Sequence, residues 1–560
     1  MKKIIVLGLA AALMLPACVK VDQDLGKGLV DKSLLYDTYT ETFDLEETQM
    51  RLATDLSGFS DAHLTIGAIR DADFGLTTRE AAFPLVPALD TIDLGRNPKG
   101  VGITLYFAGD TVSCASDDQA RILQNIRVTE LLEPLDINKR SAVGELAHGT
   151  ELLTQGIPVY NGSGALNFTL KKEYAQRYVD LIRSFNGILK DRGSEDGIDH
   201  YQDFVKALPG IYLEVEAPEG LGGRINLFQF PCMEVSSGKY YRNSNVAMLT
   251  VNSSWGNDTA PHDSSFVLVP GETEFVHEQT YTGTTEKFSQ YTFNRTTHST
   301  RDCAPADKIL VEGGCGLKPV IRAEELRRKT AAAITAHGGD PLKAIIVKAT
   351  IVLPYDMPED FREMKYFPSV LSPTIRTIRQ DENDDKNSYI AFAGLTDASV
   401  STENQGDIDR SNLVYSPDIS YHLQSILDPR DREEMLKTTD GDIWLLTIHT
   451  EKVANASSSA YDDEYYQQLL YANYYNSLYG GYSGYGYGYG GYGYGGYGYN
   501  SYSNYYSYMM LAQMYASANQ QTYSYTTELD KDRYYHAVLC GPTAPERRPY
   551  FRVTFAIPKD

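Results

Sequence analysis

The chain has 560 residues, of which 74 are Asp or Glu and 51 are Lys or Arg, so it carries a formal charge of -23 and contains no basic block. That balance disfavours contact with a phosphate backbone and removes nucleic acid from the expected partners. A chain of this length exceeds one compact core, and domains of roughly 100 to 250 residues make two or three the expected number.

At the N-terminus Lys2 and Lys3 precede an apolar run from Ile4 to Leu15, followed by Pro16, Ala17 and Cys18. A charged region, a hydrophobic region and a small-residue cleavage site in that order mark a cleavable signal at 1–17. The run is about half the roughly 20 residues that a spanning helix needs. Leu15, Pro16, Ala17 and Cys18 resemble a lipobox, so Cys18 is expected to be lipidated and to hold the chain at a membrane. Residues 18–60 then read as a lipidated N-terminal tether and lead-in, with Asp22 and Asp24 just after the cysteine. Two carboxylates there are similar to a surface-export signal of Bacteroidetes lipoproteins, and equally to a solvated arm.

Short strands dominate the next stretch, a first β-rich lobe at 61–300. Segments 102–107 (Gly-Ile-Thr-Leu-Tyr-Phe) and 124–131 (Gln-Asn-Ile-Arg-Val-Thr-Glu-Leu) read as strands, and period two puts Ile126 and Val128 on one face. A helix is predicted over 174–189, where Tyr174, Tyr178, Leu181, Ile182 and Phe185 recur at helical spacing with charges between them. The Gly- and Asp-rich stretch 192–199 ends it, and 200–207 is a second, short amphipathic piece. Strands at 210–215 and 224–230 flank a loop bearing Pro218 and Gly220, which predicts a hairpin.

A second β-rich lobe, 301–560, repeats the style, with a helix over 322–337 stopped by Gly338 and Gly339 and a buried strand at 344–353 halted by Pro354. Further strands are expected at 389–393, 443–450, 535–539 and 551–557. Scattered short strands with irregular connections predict a mainly β fold of two β-sandwich or jelly-roll-like lobes, covered by a few helices. Between Tyr461 and Tyr525 the composition changes abruptly: 22 of the 42 tyrosines lie there, and Gly and Tyr alternate over 484–499. Glycine brings no side chain to a core and loses much backbone entropy on ordering. The Tyr/Gly-rich insertion, bounded at 454–527, is therefore expected as a disordered or loosely ordered loop interrupting the second lobe. Its tyrosines also suit adhesion, through large amphipathic faces with few torsions to freeze, and its less glycine-rich flanks, 461–479 and 505–525, suit short helical stems.

The search for chemistry returns little. The 10 histidines are scattered, with no His-Glu-x-x-His, Gly-x-Ser-x-Gly elbow, Walker loop or paired-cysteine metal site, so no catalytic residue, metal or cofactor is expected. Segment 381–387 resembles a calcium loop only superficially, because Lys386 stands where that loop needs glycine and Phe392 where it needs glutamate. Glu214 and Glu216 are open to two readings, the paired carboxylates of a glycoside hydrolase or a polar sheet face opposite Ile211 and Leu213. Beyond Cys18 stand Cys114, Cys232, Cys303, Cys315 and Cys540, an odd number. Cys303 and Cys315, across Gly313 and Gly314, are the disulfide candidates for a chain exported to an oxidising compartment. Thr91, Thr111 and Thr259 each follow an aspartate in tripeptides that resemble the O-glycosylation acceptor of exported Bacteroidetes proteins.

Several separated segments resemble one family. Residues 66–83 (Ile-Gly-Ala-Ile-Arg-Asp-Ala-Asp-Phe-Gly-Leu-Thr-Thr-Arg-Glu-Ala-Ala-Phe) are similar to its opening, "G, two or three residues, D-x-x-F-G-x-T", and 124–131 to its "Q-x-I-x-V-x-E-L" strand. Phe204 with Gly210, Ile211 and Tyr212, leading to Gly-Gly-Arg-Ile-Asn-Leu at 222–227, resembles its "F, then G-I-Y" hairpin, and 548–555 its closing "R-P-x-x-x-V-T-Y". With the lipobox, these segments resemble the Bacteroidetes outer-membrane lipoprotein family known as domain of unknown function 4270. The resemblance spans nearly the whole mature chain apart from the Tyr/Gly-rich insertion, implies no catalytic residues, and implies an accessory role around the machinery that assembles outer-membrane proteins. The expectation is a non-enzymatic, lipid-anchored outer-membrane lipoprotein, surface-exposed and working through contact with an outer-membrane protein partner. A glycan-binding or adhesive module is the second expectation and a glycoside hydrolase the third.

Overall fold

The computed structural model describes residues 36–115, 117–136, 138–191, 198–236, 239–242, 244–256, 260–273, 288–300, 302–380, 388–395, 397, 406–454 and 523–559. Within them the protein is mainly β, with every named strand pairing antiparallel and a few helices laid against the sheets. The signal, Cys18, the acidic loop 381–387 and most of the insertion lie outside the described residues.

Two sheets face one another in the first lobe. One has nine strands, with Val159–Tyr160, Gln124–Glu130, Ile211–Val215, Gly75–Phe83, His63–Asp71, Gly222–Gln229 and Gly109–Cys114 side by side, and with Thr292–His298 pairing Gly75–Phe83 and Phe59–Ser60. The other has six, centred on Arg96–Phe107, Val246–Ser254 and His262–Thr273. Period-two alternation points Leu64, Ile66, Ile126, Val128, Ile211 and Leu213 of the first sheet, and Ile103, Leu105, Phe107, Leu249 and Val251 of the second, into one core. Helix Lys172–Ser184 closes that core with Tyr174, Tyr178, Val179 and Ile182. It is shorter than predicted because Asn186 and Gly187 take positive φ values of 53° and 76°, which an α-helix does not admit.

Strands Ile211–Val215 and Gly222–Gln229 do not form the predicted hairpin. Gly75–Phe83 and His63–Asp71, themselves a tight hairpin, stand between them. Period two identifies which face of a strand is buried but not which strand lies beside it.

The second lobe begins before the first. Tyr36–Asp44, inside the expected lead-in 18–60, pairs along its whole length with the C-terminal strand Tyr550–Pro558, in a five-stranded sheet continued by Ile345–Pro354, Val414–Tyr415 and Ile408–Asp409. A six-stranded sheet holds Gln49–Leu52, Leu317–Ile321, Ile443–Ala454, Val370–Gln380, Ser388–Gly394 and Tyr523–Leu529. Leu45, Met50, Ile351, Leu353, Leu371, Leu445, Phe551, Val553 and Phe555 share its core with helices Ala323–Ala336 and Ser420–Leu427.

Ile443–Ala454 runs past the predicted end of its strand and pairs from Ile448↔Leu529 to Ala454↔Tyr523. The insertion thus joins two strands that pair with each other. Its predicted C-terminal helical stem is overtaken from Tyr523 onward by strand, because the backbone there completes the ladder of a strand already in the sheet.

Candidate functional site

Three of the segments singled out in the sequence, 66–83, 124–131 and 222–227, meet in one buried network. Arg224, fully buried, donates from Nε to Asn226 Oδ1 at 2.7 Å and from Nη1 to the carbonyls of Ala120 and Ile122 at 2.9 Å. Asn226 Nδ2 reaches Ile66 O at 3.1 Å and Gln124 Oε1 at 2.8 Å, and Gln124 returns a bond to Arg224 O at 2.7 Å. At the 71–75 turn, Asp71 Oδ1 accepts from the amides of Asp73 and Phe74, and Gly75 takes φ 72°. These side chains satisfy buried backbone and set a turn, which are structural tasks. Arg224 and Asn226 interrupting an apolar run were the signal in the sequence for such a network.

A second polar array lies where the lobes meet. Segment 530–536 leaves the insertion's hairpin and enters this seam directly. Asp532 accepts from Ser60 Oγ at 2.6 Å and Asn294 Nδ2 at 3.1 Å, with His63 Nδ1 at 3.6 Å, while His63 Nε2 lies 3.5 Å from Asp110 Oδ2. Burial lowers the His63 pKa, but the Asp532 and Asp110 carboxylates outweigh it and the net shift is upward; Asp532 is held below its ordinary value by His63, Lys531 and Ser60 despite its burial. Deeper in, Glu312 accepts from Thr77 Oγ1 at 2.8 Å and Leu317 N at 3.3 Å, with His298 Nδ1 at 3.4 Å. Lys318 Nζ donates to the Glu312 carbonyl, and burial pushes its pKa down to about 8. Ser60, His63 and Asp532 have the residue types of a hydrolytic triad but not its order. The serine hydroxyl is bound to the aspartate and both imidazole nitrogens face carboxylates, so no base reaches the serine.

The third array is open. The outer face of the five-stranded sheet forms the floor of a half-open groove of about 1080 Å³, with Lys348, Thr350, Tyr550, Arg552 and Thr554 beneath, residues of 409–418 on one side and Pro545 to Arg548 on the other. Arg547 fastens the two walls through Tyr355 O at 2.8 Å and the carbonyls of Asn412 and Leu413 at 3.0 Å. Asp409 is committed to its own turn at Ser411 and Asn412, and Asp418 to Ser420. Arg552, 5.7 Å above the Tyr550 ring, has no ion-pair partner among the described residues. The groove therefore presents a guanidinium on an aromatic face, flanked by hydroxyls, a chemistry suited to an extended polar ligand.

The sequence-predicted residues are dispersed. Thr91 and Thr111 are exposed, and Thr259 lies outside the described residues. Cys303 and Cys315 are not joined, contrary to expectation, and the described cysteines form no disulfide. Cys303 bridges Met50 through its backbone, whereas Cys315 is buried beside Leu56 and Trp444, so the Gly-Gly turn carries the two side chains into different surroundings. Glu214 is paired with Arg127 at 3.0 Å, and Glu216 is exposed beyond the strand's end at Val215. Among the described residues no cluster of His, Cys, Asp and Glu could hold a metal. No family model, curated protein or solved structure matches the chain.

Proposed function

We propose that this chain is a lipid-anchored outer-membrane lipoprotein, surface-exposed and non-enzymatic, that works through protein contact as an accessory subunit beside outer-membrane assembly machinery. The observation that carries this reading is the signal ending in Leu15, Pro16, Ala17 and Cys18. The ordered series of family-like segments and an open groove that presents Arg552 over Tyr550, with Asp409 and Asp418 committed to local turns, support a protein that recognises more than it transforms. Two measurements test it. Replacing Cys18 by alanine releases a folded protein from the membrane fraction, and retention of that variant after a high-salt wash would count against the lipid anchor. Extraction in mild detergent followed by affinity capture recovers a barrel protein; recovery of the chain alone would defeat the accessory role.

A second reading, glycan binding or adhesion, draws on the Tyr550–Arg552 pair in the groove and on the tyrosine-rich composition of the segment between the paired strands Ile443–Ala454 and Tyr523–Leu529. Deleting 461–522 and replacing Arg552 by alanine separate the two surfaces. Glycan or cell adhesion left unchanged by both variants would remove this reading.

A further inference from the structure

We infer that the second lobe rests on the lipid surface through an apolar patch of Tyr36, Leu342, Ile345 and Val347, at the end of the five-stranded sheet where the tether enters. The inference builds on the lipidation of Cys18.

The registers put Tyr36 and Ile345 at one end of the sheet, and Val347 and Leu342 lie two and three positions along the chain from Ile345. Tyr36 faces Pro558, Thr38 faces Ala556, and Ala556 in turn faces Ile345 on the strand beyond. Residues 36, 38, 556, 558 and 345 thus share one end of three adjacent strands. Alternation sends Tyr39 and Phe43 of the first strand inward, against His337 and the second core, so Tyr36 projects from the opposite, outer face. The middle strand's inward set is Phe551, Val553, Phe555 and Ile557, which leaves Ala556 and Pro558 beneath that same outer face.

Ile345–Pro354 adds a feature that packing does not require. Its register slips between Ile346 and Lys348, so Val347 is an extra residue, and the burial runs exposed, buried, exposed, exposed over 345–348. A bulge of this kind re-aims side chains. Here it turns a second aliphatic group outward next to Ile345. Exposure reaches 43 % for Tyr36, 63 % for Leu342, 47 % for Ile345 and 56 % for Val347, with Lys343 and Lys348 exposed alongside. An exposed apolar group rimmed by lysines, with a tyrosine at its margin, matches the composition that proteins present at a bilayer interface.

The tether identifies the occupant. Cys18 precedes Tyr36 by 18 positions, a span of at most ~60 Å. A lipidated cysteine therefore holds the bilayer beside the end of the sheet that carries the patch, at an effective concentration where even a weak apolar contact is occupied. The polar groove shares Lys348 and Thr554 with this sheet face and runs from there away from the patch, toward Pro354 and Tyr550.

The test places a tryptophan in the patch. Full-length lipidated protein carrying Val347→Trp, and separately Ile345→Trp, is reconstituted on phosphatidylethanolamine/phosphatidylglycerol vesicles containing brominated lipid. The emission added to that of the native Trp255 and Trp444 is then compared with the same variants bearing Cys18→Ser. Expected is loss of the added emission on vesicles and none without the anchor. Vesicle-bound protein whose added emission is unquenched overturns the inference while the anchor stands. Failure of the lipidated chain to bind vesicles overturns both. An added emission already blue-shifted in the unanchored protein means that residues 19–35 or a second copy cover the patch, and this too overturns the inference.

Discussion

The hydroxyl of Ser60 donates to Asp532 across 472 positions of sequence, at 2.6 Å, and in doing so ties the first strands of one lobe to the segment that follows the insertion in the other. Asp532 also holds Asn294 and His63, so one carboxylate gathers three groups of the first lobe. The hairpin that bears the insertion is thereby continuous with the seam.

Replacing Asp532 by alanine should lower stability by about 1–3 kcal/mol, since two buried donors lose their acceptor. Its pH dependence has a defined sign. His63, raised above 6.5, contributes stability that is full below that value and fades as pH rises through the folded pKa; Asp532, lowered below 3.8, contributes stability present above that value and lost on acidification. The wild type's advantage over the variant should therefore be largest between those two values and shrink on either side. Chemical denaturation across pH checks this, and a difference that keeps growing above neutrality would refute the pairing.

Glu312→Ala should cost about 3–5 kcal/mol, because it strands Thr77, Leu317 and His298 in a fully buried site. Glu214→Ala, whose pair with Arg127 is about 30 % exposed on both sides, should cost under ~1 kcal/mol. Equal losses in urea unfolding would show that burial does not govern these pairs.

Gly67→Ala should destabilise by about 2 kcal/mol or more. Its φ is 144° and an added Cβ would stand 2.2 Å from Arg224 O, the backbone of the neighbouring strand. A melting temperature indistinguishable from wild type would mean that the strands separate there at no cost.

Thiol titration after unfolding without reductant should count five thiols besides Cys18, one from each described cysteine. A count of three would restore a disulfide.

Local chemistry was legible in the sequence. Alternation located seven of its nine predicted strands within two residues, the 3.6-residue spacing of Tyr174, Tyr178 and Ile182 located the first helix, and Leu15 to Cys18 raised the question of an anchor. Each of these signals is carried by neighbouring residues. Strand order was not legible: Ile211–Val215 and Gly222–Gln229 looked like a hairpin, and nothing in 36–44 announced a partner at 550–558. An apolar alternating strand fits beside any other of its kind, so the choice falls to the summed packing of the whole lobe. The seam at Asp532, the outer-face groove and the patch at Ile345 follow from that choice, because each is assembled from residues that only the tertiary structure brings together, whereas the mainly β character and the Cys18 motif were already written in short stretches of the chain.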